Sequence, residues 1–143
     1  MKRVELSIGD SRLTGRFETA AAPKSVAWLT ARLPLVGVAL HARWSGEAAW
    51  MPLREEVQLD HENALSYPHP GQLLLYAGAQ SEPELLIPYG YCAFASRAGA
   101  LAGNHVITLD GEESTWSLLG EALLHHGAQP LRLACLTPGA AAA

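Results

Sequence analysis

Val36-Gly37-Val38-Ala39-Leu40-His41-Ala42-Arg43-Trp44, then Ser45-Gly46-Glu47, then Ala48 to Leu53, is the stretch that decides the fold class. Val36, Val38, Leu40, Ala42 and Trp44 alternate with Gly37, Ala39, His41 and Arg43, and a period of two places each set on its own face of a strand. The Ser-Gly-Glu segment supplies turn residues. The whole reads as an antiparallel hairpin, with Trp44 and Trp50 flanking the turn on the same side. Outward from it the same beat recurs. Met1 to Phe17 reads as another hairpin, turning at Gly9-Asp10-Ser11. Gln72 to Tyr76, Glu84 to Ile87, Tyr91 to Ala95, His105 to Leu109 and Pro130 to Leu136 read as further strands. Asp60 to Gly71 and Ser96 to Asn104 read as loops. Two segments break the beat. Pro23 with Val26, Leu29 and Leu33 at helical spacing reads as a helix stopped by Pro34. Thr115 to His126, with Trp116, Leu119 and Leu123 on one face, reads as a second helix that ends where Gly127 suits a C-cap. With no strand-helix-strand rhythm, the expected fold is mainly β: an antiparallel sheet of about eight strands closed into a barrel, capped by two helices.

A chain of 143 residues is one ordinary domain, expected over residues 1–136 with a frayed tail at 137–143. A domain of this size buries roughly 68–70% of the surface its unfolded chain exposes and needs no staples. Apolar residues at 49% and charged ones at 17% exclude intrinsic disorder. Ten Lys and Arg against fourteen Asp and Glu leave a formal charge of −4. That balance argues against nucleic acid or an anionic membrane as a partner, since either needs clustered cations. No apolar run reaches the roughly 18 residues of a membrane span. The first ten residues alternate and carry charge, unlike a signal peptide, and there are only two cysteines, so a cytoplasmic setting is expected.

From Pro70 onward the residues carry a resemblance. Pro70-Gly71-Gln72-Leu73-Leu74-Leu75-Tyr76, Ser81-Glu82 with Glu84-Leu85-Leu86-Ile87-Pro88-Tyr89-Gly90, Phe94-Ala95-Ser96 and Leu101-Ala102-Gly103-Asn104-His105, in that order and spacing, resemble a bacterial family of cyclophilin-like fold, the domain of unknown function 3830. The resemblance covers most of the chain and is most specific from Gly71 to Leu109. It implies an eight-stranded closed barrel with a helix at each end. The superfamily also reaches subunits of 5-oxoprolinase and allophanate hydrolase, which handle small amides or cyclic amides. Prolyl isomerases of this fold carry Phe-His-Arg and Gln-Gly-Gly contexts that are missing here, and Phe94 and Arg97 stand in other surroundings. Peptidyl-prolyl isomerisation is therefore not expected, and fold alone assigns no activity.

Candidate chemistry centres on Asn104-His105, which follows a glycine-rich run and opens a strand. At a barrel rim the imidazole can act as general base or hydrogen-bond a ligand, with the amide orienting the same group. The plainer alternative is that Asn104 satisfies loop backbone and His105 packs inside. Glu62, and Glu82 and Glu84 about Pro83, can pair with a histidine or simply solvate their loops. Trp44 and Tyr89 can wall a pocket, whereas Trp50, Tyr76 and Tyr91 read as core or barrel lining. No metal is expected: His125 and His126 are adjacent, hence about 100° apart on a helix, not at the one-turn spacing zinc uses. No cofactor is expected either, for there is no phosphate loop or dinucleotide fingerprint, and Ser96 lacks a nucleophile elbow. Cys92 and Cys135 read as small buried hydrophobes.

These residues support three readings. The leading one is a protein that binds a small polar metabolite, of amide or carboxylate type, in a pocket lined by Trp44, Tyr89, Asn104, His105 and Glu62. The second is a cofactor-independent amide or lactam hydrolase, or an accessory subunit of one, with His105 as catalytic acid/base. The third is a structural subunit of a homo-oligomer.

Overall fold

In the computed structural model, which describes residues 2–136, the sheet closes on itself. The tail expected at 137–143 lies outside the described residues. β1 (Arg3–Ile8) and β2 (Ser11–Phe17) form the first hairpin, followed by α1 (Pro23–Thr30), β3 (Leu35–His41) and β4 (Gly46–Pro52). Then come the two-residue β5 (Ala64–Leu65), β6 (Gln72–Tyr76), β7 (Glu84–Cys92), and the short β8 (Ala95–Ser96) and β9 (Gly99–Ala100). β10 (Gly103–Leu109), α2 (Glu113–His126) and β11 (Gln129–Leu136) complete the chain. The long strands pair antiparallel in the order β2-β1-β11-β3-β4-β7-β6-β10, and β10 returns to β2. The result is the closed eight-stranded barrel with two helices that the alternation implied. No helix among the described residues is long and apolar enough to cross a membrane.

Closure requires two backbones to meet closely. Ile107, Thr108 and Leu109 of β10 pair with Phe17, Arg16 and Gly15 of β2. A Cβ on Gly15 would stand 2.3 Å from the Thr108 carbonyl oxygen and 2.8 Å from the Leu109 Cα. Only glycine lets the last pair of strands close. Inside, Val4, Leu6, Ile8, Leu75, Ile87 and Leu133 are buried in one core. α1 contributes Val26 and Leu29 beside the Asn104 end of β10, and α2 contributes Leu119 and Leu123 beyond its Leu109 end.

Two local expectations need correction, and the structure decides which face of β3 points inward. On β3 the more apolar face turns outward: Val36 is 75% exposed, while Ala39 is fully buried. Met51 fills the interior there, and a Cβ on Gly37 would lie 2.7 Å from its sulfur. The small face must therefore point in. β7 does not stop at Pro88 but runs on to Cys92, held by β4 through Ala48 and Gly46. What ends near Pro88 is the β6–β7 ladder, confined to Leu74–Tyr76 against Leu86–Glu84, because proline has no N–H to give it. Finally, the stretch expected as a loop from Ser96 to Asn104 contains the β8–β9 hairpin.

Gly15→Ala is expected to destabilise the fold by about 1–3 kcal/mol, the usual cost of forcing atoms into a packed site. Denaturant melts measure it; an unchanged midpoint would mean that closure does not depend on this contact.

Candidate functional site: a pocket on the outer face of the barrel

The barrel has a second apolar layer outside its wall. Ala48, Leu74, Leu86 and Cys92, on the outer faces of β4, β6 and β7, pack with Tyr76, Phe94 and Leu101 in a cluster separate from the interior core. Tyr76 and Phe94 meet edge to face at 5.4 Å. The segment from Phe94 to Leu101 overlies this layer, tied down where Phe94 N–H donates to the Ser66 carbonyl (2.8 Å) and Leu101 N–H to the Phe94 carbonyl (2.9 Å). Ser45 fastens its near end. The Ser45 hydroxyl donates to the Ala95 carbonyl (3.1 Å) and accepts the Ala95 N–H (3.0 Å).

The cover is incomplete, and the uncovered part is a pocket of about 490 Å³, within the roughly 300–1,000 Å³ usual for small-molecule sites. Trp50, Leu86 and Ala42 provide apolar lining, and Trp44 stands at the turn between β3 and β4. Arg43 and Arg97 also line it; the Arg43 guanidinium sits 5.5 Å from the Trp44 ring centroid. Neither arginine forms an ion pair among the described residues. Glu82 and Glu84 line the pocket as well. Glu84 is only 8% exposed and its carboxyl hydrogen-bonds to no described residue; since no fully buried side-chain oxygen among them lacks a partner, its oxygens open to solvent in the pocket. Burial, and after it the charge of Glu82, push its pKa from 4.5 up to about 8. Near neutral pH it is an uncharged acid offering one donor and one acceptor side by side.

The five residues expected to line one pocket lie in four places. Trp44 lines the outer pocket. Asn104 and His105 diverge because neighbours on a strand face opposite ways. Asn104 is paired with Leu75, a core residue, and His105 with Leu74 of the outer layer. The Asn104 amide donates to Ser25 Oγ (2.9 Å) and to the Asp60 carbonyl (3.0 Å), and its oxygen accepts the Glu62 N–H (3.1 Å). It ties the loop before β5 to α1. Glu62 accepts the Ser25 N–H at 2.5 Å. Ala22, at the N-cap of α1, has no side-chain oxygen, so Glu62 supplies the cap from across the loop.

His105 reaches Thr108 because β10 bulges between His105 and Ile107, bringing onto one side residues that a regular strand would separate. Thr108 donates its hydroxyl hydrogen to Glu18 Oε1 (2.5 Å), so it must accept from His105 Nε2–H (2.9 Å). Burial lowers the His105 pKa and Arg16 adds to this, against the opposing pull of Glu18 and the Ile107 backbone. A ring nitrogen committed in this chain does not face the outer pocket. Tyr89 lies in the interior core, where its hydroxyl donates to His41 Nε2 (2.7 Å) while His41 Nδ1–H donates to the Ala42 carbonyl (2.8 Å). Gly120 of α2 closes over its ring, where a Cβ would come within 2.3 Å. Tyr89 also borders a second, more open hollow beside α2.

Trp50, Glu84, Arg43 and Arg97 are thus the site residues that pattern reading did not select. Trp50 and Glu84 do carry a signal: the first flanks the same turn as Trp44, and the second is one half of Glu82-Pro83-Glu84. Arg97 has none, because only the β8–β9 hairpin brings it over the barrel. Cys135 is exposed rather than buried, although it shares a face with Leu133 and pairs with Val4, since it lies one residue from the end of β11. Cys92 is buried, which pushes its thiol up to about 11, so it is a poor nucleophile. Among the described residues no group of three or more His, Cys, Asp or Glu side chains is placed to hold a metal.

A family model described as a protein of unknown function (DUF3830) matches residues 4–135. No curated protein matches the sequence. Among solved structures, that of McbB in complex with tryptophan has a TM-score of 0.68 at 15% identity, covering 92% of this chain and 44% of that one. At that identity the likeness is one of fold, and the present chain spans less than half the length of McbB.

The two carboxyl environments give stability opposite dependences on pH. At Glu62 partial burial raises the pKa, but the Ser25 and Lys24 groups outweigh it and the net shift is downward. Its stabilisation is present at neutral pH and is lost as pH falls through the depressed value. Glu62→Gln is expected to lower the melting temperature at pH 7 and to match the parent in acid. Glu84 is the reverse: its folded pKa is raised, so stability declines as pH climbs from about 4.5 to about 8. Glu84→Gln is expected to remove that decline, on the order of a few kcal/mol. Parallel curves for parent and variant across pH would contradict either assignment.

Proposed function

We propose, for a chain that belongs to the DUF3830 family of proteins of unknown function, that it binds a small polar metabolite of amide or carboxylate type in the pocket between Trp44 and Trp50. The setting is taken to be a cyclophilin-like barrel of a bacterial protein, as the resemblance implies, and a cytoplasmic one, as the cysteine usage suggests. One observation carries the reading: a largely buried carboxyl with no hydrogen-bond partner among the described residues opens into a pocket that also holds two arginines with no ion pair among the described residues. The Glu84 oxygens open to the pocket rather than to the protein, so a ligand that enters can take the place of water on them. With Glu84 uncharged, the pocket balances two guanidinium charges against the single carboxylate of Glu82, which favours a ligand that carries negative charge. Trp44 and Trp50 offer aromatic walls to a flat molecule. That a protein of similar fold has been solved with tryptophan makes aromatic carboxylates a reasonable first group of compounds.

The same acid favours a second reading, hydrolysis of an amide or lactam. A carboxyl still protonated near neutral pH can give its proton to the departing nitrogen while water adds to the carbonyl carbon, and the proton that the water gives up returns to the Glu84 carboxylate. Release of the free acid and amine, abolished in Glu84→Gln, measures this.

Binding is tested by melting temperature against a library of small amides, lactams, ureas and carboxylates. A ligand at 100 times its dissociation constant adds roughly 2.7 kcal/mol, a shift of several degrees. The shift is expected to be lost in Trp44→Ala and kept in His105→Ala. Loss only in His105→Ala would return the site to β10, and no shift with any compound would remove the binding function.

A further inference from the structure

The pocket is polar at its two ends and apolar between them, and the strand register shows how far apart those ends are. Glu84 pairs with Pro52 at one end of the β4–β7 ladder, Leu86 pairs with Trp50 two residues on, and Pro88 pairs with Ala48 two residues beyond that. The four-residue step from Glu84 to Pro88 is roughly 13 Å at the rise of an antiparallel strand. Ala42 N–H donates to the Ala48 carbonyl at 2.8 Å, which sets Arg43 one residue past that level. Arg97 belongs to the same end, because the staple between Ser45 and Ala95 holds the β8–β9 hairpin against the turn. Glu82 and Glu84 therefore stand at one end, Arg43 and Arg97 at the other, and Trp50 and Leu86 form the apolar floor between.

We infer that the pocket takes a molecule with a carboxylate at one end, an uncharged amide at the other and a ring-sized apolar middle, lying with its carboxylate toward Arg43 and Arg97 and its amide toward Glu84. This rests on the pocket reading above and adds the ligand's polarity and direction to it. Two unpaired guanidinium groups hold a carboxylate by charge-assisted hydrogen bonds. A protonated Glu84 donates its O–H to an amide oxygen and accepts an amide N–H with its carbonyl, so both partners are satisfied with no charge placed in the buried end. An ammonium in that place would require Glu84 to ionise. The groups facing Glu84 are Glu82 ahead of β7, Pro52 across on β4 and Tyr76 across on β6, with Arg43 and Arg97 at the far end of the pocket. Glu84→Gln is the variant that assigns a change in binding near pH 8 to Glu84.

The test is calorimetric titration of the intact chain with four probes on one ring: para-carbamoylphenylacetate, its aminomethyl counterpart, para-carbamoylphenylacetamide and phenylacetate. The carbamoyl acid is expected to bind about tenfold or more tighter than the probe lacking the carboxylate or the one lacking the amide. Its affinity is expected to be level near pH 7 and to fall about tenfold per pH unit above about 8. Glu84→Gln, which keeps a donor and an acceptor, should bind it within a few-fold and lose the fall at high pH. Arg97→Ala should weaken both acids that carry the amide or the bare ring, leaving the diamide unchanged. Tighter binding of the aminomethyl probe, strengthening above pH 8, would overturn the amide assignment. Equal affinity for all four would overturn the polarity. If none binds while a library compound still depends on Trp44, this inference fails and the pocket reading stands; if nothing binds at all, both fail.

Discussion

Ring closure between β2 and β10 is the constraint on which the rest of the structure depends. A sheet that returns to its first hairpin has no free choice of register. Each strand must present one set of alternate residues to a space of fixed width, and the other set to the outside. Gly15 permits the final pairing by letting the Thr108 carbonyl approach where any Cβ would collide. Once the ring is closed, the filling of the interior dictates which faces point in. Met51 occupies the space beside β3, so Gly37 and Ala39 face inward and Val36 is left outside. Hydrophobicity alone would have chosen the opposite face.

The site follows from what happens outside the wall. β4, β6 and β7 carry apolar residues on both faces, and the segment from Phe94 to Leu101 covers their outer side only in part. Where the cover ends, Trp50 and Leu86 remain as a floor, and Glu84 is caught at the margin, buried enough to lose its charge but open to the pocket. Its high pKa and its lack of a partner have one cause, a carboxyl placed in an apolar layer rather than in a polar network. Asn104, Glu62 and His105 show the contrast. Asn104 and His105 are as enclosed and Glu62 is half-buried, yet each is bound within hydrogen-bonded chains to Ser25, Asp60 or Thr108. Those chains hold α1 and the long loop to the barrel.

Much of the fold was legible because it is local. Alternation from Val36 to Trp44 and in the first hairpin, the proline that opens α1 and the glycine that follows α2 each act within a few residues. Even the second layer had a trace, for Leu73-Leu74-Leu75 and Leu85-Leu86-Ile87 are apolar without alternation, as strands covered on both faces must be. The site was less legible because it depends on pairings between distant segments. Period two already separates Asn104 from His105, but the bulge that sends His105 to Thr108 has no local signature. Nor does a sequence reveal that Glu62 caps a helix 37 residues away, or that a hairpin stapled through Ser45 carries Arg97 over β4. Glu82-Pro83-Glu84 was visible as a pair of acids; that only the second is buried depends on the closed barrel.

The central claim is that Glu84 is an uncharged, unpartnered acid in the pocket at neutral pH. It is tested most directly by following the Glu84 side-chain carboxyl carbon by NMR as pH is raised, with Glu84→Gln used to assign the signal. The account requires a midpoint at about 8. A midpoint at the ordinary glutamate value of 4.5 would show a solvated or paired carboxylate, and the pocket would lose the group on which its proposed chemistry rests.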